Sequence, residues 1–237
     1  MEKREKIYEG KAKIVYATDD PGKVIQYFKD DATAFNAEKR GTILGKGVVN
    51  NKMSAALFER LGKAGVPTHY LGTLSDREML CRRLDIIKIE VIPRNIVAGT
   101  LAKRTGLEEG VAIKPPICEL FYKSDPLGDP MITDDHVRML RLATPRELAW
   151  LRRMALKVNA VLRPLLKRKG LILVDFKLEF GRAGGRLYLG DEISPDTCRL
   201  WDADTLEKLD KDRFRRDLGR VEEAYQEVYR RIVGSGS

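Results

Sequence analysis

The sequence predicts an α+β protein of two lobes, built mainly on antiparallel sheets with helices packed on them and a helix at the C-terminus. Three observations carry this reading. Short segments of alternating apolar residues recur with turn residues between them, as antiparallel hairpins require. A few longer stretches instead space their apolar residues by threes and fours, the helical period. The run LDIIKIEVIPRN then leads into loop-rich composition, which places a hinge at residues 84–87 between lobes 1–84 and 85–233. At 237 residues and 43% hydrophobic, the chain is long enough for two lobes with real cores.

In the first lobe, KIYEG, AKIVYAT and KVIQYFK read as strands, and DDPG at residues 19–22 is the turn between the last two. A helix is predicted over 47–64, with Val49, Met53, Ala56, Leu57 and Leu61 on its apolar side; Val66 and Pro67 end it. Strands near THYLGTL and EMLCRR lead to the hinge. The second lobe holds strands at IKIEVIPR and ELFYK and a basic helix over 144–169. Thr144, Pro145 and Glu147 supply its capping box, Gly170 its C-cap, and Pro164 is expected to kink or shorten its last turns. Its apolar stripe is Leu148, Leu151, Ala155, Val158, Leu162 and Leu165. A hairpin at LVDFKLEF follows, then a helix with the stripe Phe214, Leu218, Val221, Tyr225, Val228 and Ile232; residues 234–237 read as a flexible tail.

Composition narrows the function. No run approaches the roughly 20 apolar residues that span a bilayer, and the start MEKREKIYEG lacks a secretory core, so no membrane partner and a cytoplasmic location are expected. Cys81, Cys118 and Cys198 are too scattered for a disulfide framework or zinc knuckle, and His69 and His136 read as surface or core-edge residues. The net charge of +9 fits either nucleic acid or phosphorylated small molecules. Aromatics are only 7%, without a stacking-platform motif, so the small-molecule enzyme is preferred and no nucleic-acid partner is expected.

The chemistry concentrates at residues 173–180. In a strand, Val174, Phe176, Leu178 and Phe180 share one face, and Asp175, Lys177 and Glu179 share the other. A sheet face in water would explain such alternation. However, the GRAGG turn and RLYLGDE fold back as a hairpin and return Asp191 opposite residues 176–178. Four charged groups then converge. Carboxylates at this spacing suit Mg²⁺, which takes oxygen ligands and commonly only one or two carboxylates beside substrate phosphates. The lysine implies an anion.

Further anion sites are scattered along the chain. In EGKAK, Gly10 lies beside Lys11 and Lys13, which face one way and could neutralise a polyphosphate. GKG at 45–47 opens a helix and is another candidate anion site. Arg94, Thr100 beside Gly99, and Arg199 suit a phosphate monoester through forked donors and a hydroxyl.

The segments EGKAKIVY, NNKMS, EVIPRNIVAGTLAKR, LILVDFKLEFG, LGDEISPDTCRLWD and DKDRFR, in this order across almost the whole chain, resemble the SAICAR synthetase family of purine biosynthesis. The resemblance implies an ATP-grasp-like fold. It also implies a ligase that joins the carboxylate of carboxyaminoimidazole ribonucleotide (CAIR) to the amine of L-aspartate as ATP becomes ADP and phosphate, through an acyl phosphate. It assigns Glu179 and Asp191 to Mg²⁺, Lys177 to the phosphoryl group or CAIR carboxylate, and Asp175 to CAIR's polar groups. Lys11 and Lys13, assisted by Lys123, would hold ATP phosphates; the main chain at Leu84 and Ile86 would bind adenine. Arg94, Thr100 and Arg199 would hold the CAIR phosphate, with Asp196 and Arg215 nearby, and a homodimer is expected. Two positions depart from the pattern: Lys88 stands where the family often has proline, and Thr100 replaces the usual serine. A small-molecule kinase would need the same groups; phosphate release that depends on L-aspartate separates the two.

Overall fold

The computed structural model describes residues 1–34 and 39–234; most of the predicted tail, residues 235–237, lies outside them. Strands β1 (Lys3–Glu9), β2 (Lys13–Thr18) and β3 (Lys23–Phe28) form a meander. A short pair, β4 (Asp31–Ala34) and β5 (Lys39–Thr42), precedes helix α1 (Lys46–Lys63). β6 (Tyr70–Thr73) and β7 (Glu78–Arg82) complete an antiparallel sheet ordered β1-β2-β3-β7-β6. α1 lies on it and buries Val49, Met53, Leu57 and Leu61, while Ala56 stays half-buried.

The second sheet is organised by β8 (Asp85–Ile96), long enough to pair twice along one edge. After α2 (Gly99–Thr105), β9 (Ala112–Tyr122) takes one edge of β8. A 3-10 turn over Asp125–Leu127, α3 (Asp134–Met139) and α4 (Pro145–Lys167) follow. The other edge of β8 takes β10 (Leu171–Phe176) and then β11 (Leu178–Ala183), both antiparallel. Asp175 opposite Arg94, Leu178 opposite Val91 and Glu179 opposite Glu90 keep one register. The predicted single strand over 173–180 is therefore two collinear strands interrupted at Lys177, whose N–H leaves the ladder for the Thr197 carbonyl. The side-chain alternation survives the break. β12 (Arg186–Leu189) pairs with β11 through a two-residue turn in which Gly184 and Gly185 have φ of +54° and +73°; both central residues of such a turn need positive φ, hence two glycines. β13 (Cys198–Asp202) lies beyond β10.

α4 begins at the predicted capping box, with Thr144 and Glu147 each bonding the other's main chain. Pro164 does not end it: in the last turn a proline removes one helical bond, and the helix runs on to Lys167. Leu166 rather than Leu165 completes the buried stripe. The predicted C-terminal helix is split. α5 (Asp212–Arg215) stops before Asp217, Gly219 and Arg220, all left-handed, and α6 (Val221–Val233) starts afresh, which leaves Leu218 46% exposed. α6 then crosses back and packs on α1. One apolar core joins both sheets, with Phe28, Met53 and Phe58 in contact continuity with Ile89, Leu151, Phe176 and Phe180. His69 belongs to this interior, and His136 instead caps α3 through Thr133.

Candidate active site

The charged face of β10 and β11 is not in water. Asp175 and Glu179 are 3% and 4% exposed, so ionised groups there need partners. Lys177 Nζ lies 2.5 Å from Glu179 Oε1, 3.1 Å from Glu90 Oε1 and 3.6 Å from Asp191 Oδ2. Lys123 reaches the same Glu179 oxygen at 2.7 Å. Lys13, from the other sheet, bonds Asp191 and lies 3.3 Å from Glu192. Burial acts to discharge Lys177, but Glu179, Asp191 and Glu90 outweigh it and hold its pKa well above the ordinary lysine value. Lys13 is raised in the same way against burial, chiefly by Asp191. Burial acts to raise the Asp191 pKa, and Lys13, Lys177 and Lys123 take it well below the usual carboxylate range. Glu90 and Glu192 are raised, burial being the main cause.

Arginines dominate the other end. Asp175 is bracketed by Arg94 Nη1 at 2.6 Å and Arg199 Nη1 at 2.9 Å. Arg199 Nε donates to Asp212 at 2.9 Å, and Arg215 reaches the same carboxylate at 2.5 Å. Arg199 also lies against Gly99, where a Cβ would stand 2.4 Å from Nη2, so the glycine makes room for the guanidinium beside Thr100 at the start of α2. Asp196 accepts from buried Lys46 at 2.6 Å and from the Tyr225 hydroxyl of α6 at 2.6 Å.

These groups surround one cleft of about 580 Å³. Twelve of the fourteen predicted site residues line it: Lys11, Lys13, Arg94, Thr100, Lys123, Asp175, Lys177, Glu179, Asp191, Asp196, Arg199 and Arg215. Leu84 and Ile86 do not. Leu84 packs on Gly181 and Gly190 behind the carboxylates, and Ile86 is 36% exposed opposite Gly181. The GKG segment is not an open anion site, because the Asp30 carboxylate already accepts from the Gly45 and Gly47 N–H groups at 3.2 and 2.8 Å. Sequence reasoning missed Glu90, Glu192 and Lys211, which line the cleft, and singled out Lys46 only within the GKG segment, not as the partner of Asp196 behind the cleft. Only Glu192, next to Asp191, carried a usable signal.

Fold and cleft together define an ATP-grasp-like protein whose cleft is lined by lysines, arginines and carboxylates. The family model of SAICAR synthetase matches residues 6–232. The chain is 59% identical over 232 residues to the phosphoribosylaminoimidazole-succinocarboxamide synthase of Desulfitobacterium hafniense (strain Y51), covering 98% of each chain. It is also similar to the crystal structure of that synthase from Ehrlichia chaffeensis, at 46% identity and TM-score 0.96 over 98% of this chain and 100% of that one. A SAICAR synthetase in complex with ADP is similar at 48% identity and TM-score 0.94, over 97% and 98% of the two chains. The chain belongs to the SAICAR synthetase family. It is an ATP-dependent carbon–nitrogen ligase of purine biosynthesis that joins CAIR and L-aspartate with formation of ADP and phosphate.

Proposed function

We propose that the cleft makes an acyl phosphate from the CAIR carboxylate and ATP, then transfers the acyl group to L-aspartate. A carboxylate does not condense with an amine at neutral pH, because it is a poor electrophile with a poor leaving group. In the first step a CAIR carboxylate oxygen attacks the γ-phosphorus and the bond to the β,γ-bridging oxygen breaks, releasing ADP. In the second, the aspartate amine attacks the acyl carbon, phosphate leaves with the former carboxylate oxygen, and the new amide nitrogen loses its proton. The observation that carries this is the arrangement of charge: lysines of one lobe and arginines of the other flank a centre where Lys177 sits among Glu90, Glu179 and Asp191.

Lys11, Lys13 and Lys123 hold the ATP phosphates, and Arg94, Thr100 and Arg199 hold the CAIR phosphate with Arg215 and Asp196 beside them. Lys177 stabilises the transferring phosphoryl group, and Asp175 orients CAIR. The adenine extends toward the main chain at Leu84 and Ile86; Leu84 lies against Gly190, one residue from Asp191. The donor set fits Mg²⁺. Glu179 and Asp191 offer hard oxygen ligands, and the lysine contacts to Glu179 fall on Oε1. Among the described residues no group of three acidic, histidine or cysteine side chains is placed to bind a metal, so phosphate and water oxygens would complete the shell, as is usual for Mg²⁺. When bound, the ion supplies neutralising charge to the phosphates. The lobes divide at 84/85, and the enzyme works in the cytoplasm as a homodimer.

Oxygen-18 placed in the CAIR carboxylate tests the route. Label is expected in the released phosphate, and only when L-aspartate is present does an amide form. Unlabelled phosphate excludes the acyl phosphate; ATP cleavage with CAIR that never yields the amide makes the protein a kinase.

A further inference from the structure

The carboxylate of Asp191 stands at the centre of the cleft on a backbone that needs support. Asp191 has φ +57°, left-handed and uncommon for a residue with a side chain. It lies two residues past the end of β12, after Gly190, and the first lobe is stitched to that strand end: Leu189 N–H donates to the Pro67 carbonyl at 2.9 Å, and His69 N–H donates to the Leu189 carbonyl at 2.8 Å. His69 is 2% exposed there. Its ring meets Phe58 edge-on, with centroids 5.2 Å apart, and Nε2 lies 3.8 Å from Cys81 Sγ. Nδ1 is on the other side, 3.8 Å from where a Gly190 Cβ would be, facing the main chain of Gly190 and Asp191.

The protonation pattern follows from these neighbours. A neutral imidazole has one N–H to give, and its other ring nitrogen can only accept. Burial keeps Cys81 a thiol, whose S–H can donate to Nε2. The ring proton then belongs on Nδ1, toward the Asp191 carbonyl.

We infer that His69 is a positioning residue for the reaction: its Nδ1–H fixes the bend at Gly190 and Asp191 and so sets the Asp191 carboxylate between Lys13 and Lys177. This rests on the proposal above that Asp191, with Glu179, offers the oxygen ligands beside the ATP phosphates. Groups that orient a site carboxylate are commonly worth tenfold to a hundredfold in activity. His69→Leu is expected to lower kcat by about that factor while KM for CAIR stays within about twofold, because the arginine end is untouched. His69→Asn, whose amide nitrogen falls near the Nδ1 position, recovers most of the loss, whereas His69→Gln, reaching toward Cys81, does not. In an Asp191→Asn background His69→Leu adds nothing further. If instead its loss is the same in both backgrounds, His69 acts elsewhere and the inference is overturned. A silent Asp191→Asn overturns the assignment of Asp191, and the role of His69 with it. Should His69→Leu fail to fold, the Asn and Gln pair decides: equal activity in the two overturns the inference.

Discussion

Arg199 shows how closely single residues are fitted at the phosphate end. Gly99 combines φ +56° with a guanidinium that leaves no space for a Cβ, so Gly99→Ala must both strain the backbone and push Arg199 aside. Arg199→Lys keeps the charge but loses the fork that can grip two phosphate oxygens. Each substitution is expected to weaken CAIR binding by about 1.5–3 kcal/mol, roughly tenfold to a hundredfold in Kd, and to leave ATP binding within about twofold. Calorimetric titration of each ligand into each variant checks this; weakened ATP with unaffected CAIR reverses the two ends of the cleft. The acid–base–acid row was legible because a strand's period of two puts Asp175, Lys177 and Glu179 together whatever the strand pairs with. Glu90 was not legible. Within IKIEVIPR it reads as the polar face of an ordinary strand, and only the register that sets it opposite Glu179 makes it part of the site. Two carboxylates directly opposite repel, which is why Lys177 bridges both.

At the scale of elements, the N-terminus of α1 shows a sequence signal with a different meaning from the one expected. A glycine-flanked helix start attracts an anion, and here the anion is the protein's own Asp30, which also pairs with both Arg77 terminal nitrogens at 2.7 and 2.9 Å. Burial works to raise the Asp30 pKa, but Arg77 and the Gly47 and Gly45 N–H groups leave it below the ordinary value. A carboxylate with a depressed folded pKa stabilises the fold above its unfolded pKa, near 4, and that contribution is lost as pH falls through the folded value. Asp30→Asn is therefore expected to cost about 1–3 kcal/mol at pH 7, with the gap to wild type closing as the pH drops below 4. Urea unfolding of both proteins at several pH values measures it, and a gap independent of pH removes the charge from the explanation. The capping box of α4 was readable because its partners are three residues apart. The break between α5 and α6 was not, since Asp217 and Arg220 are ordinary helix-surface residues until they adopt positive φ.

The whole molecule is held by one apolar core shared by both sheets and by ion pairs that cross the cleft. Lys11, in the turn between β1 and β2, reaches Asp125 of the 3-10 turn at 2.7 Å, and Lys13 of β2 bonds Asp191 just past β12. The return of α6 to α1 was invisible in sequence because an amphipathic stripe does not say which surface it covers. Since one apolar cluster runs through both sheets, heating should give a single unfolding transition; two transitions would mean that the lobes are energetically separate. Ligands that fill the cleft bind only the folded state and must raise its Tm. At a concentration of 100 Kd each contributes about 2.7 kcal/mol, and a chain of this size gains roughly 2–4 °C per kcal/mol, so ADP or CAIR alone should raise Tm by roughly 5–11 °C. The two shifts should separate by variant. Gly99→Ala, measured at the same fixed ligand concentrations, should lose about half or more of the CAIR shift and keep that of ADP, because only the arginine end is disturbed. Calorimetric scans with each ligand decide it: equal loss of both shifts would show that Gly99 and Arg199 support the cleft as a whole and do not form a local clamp for one phosphate.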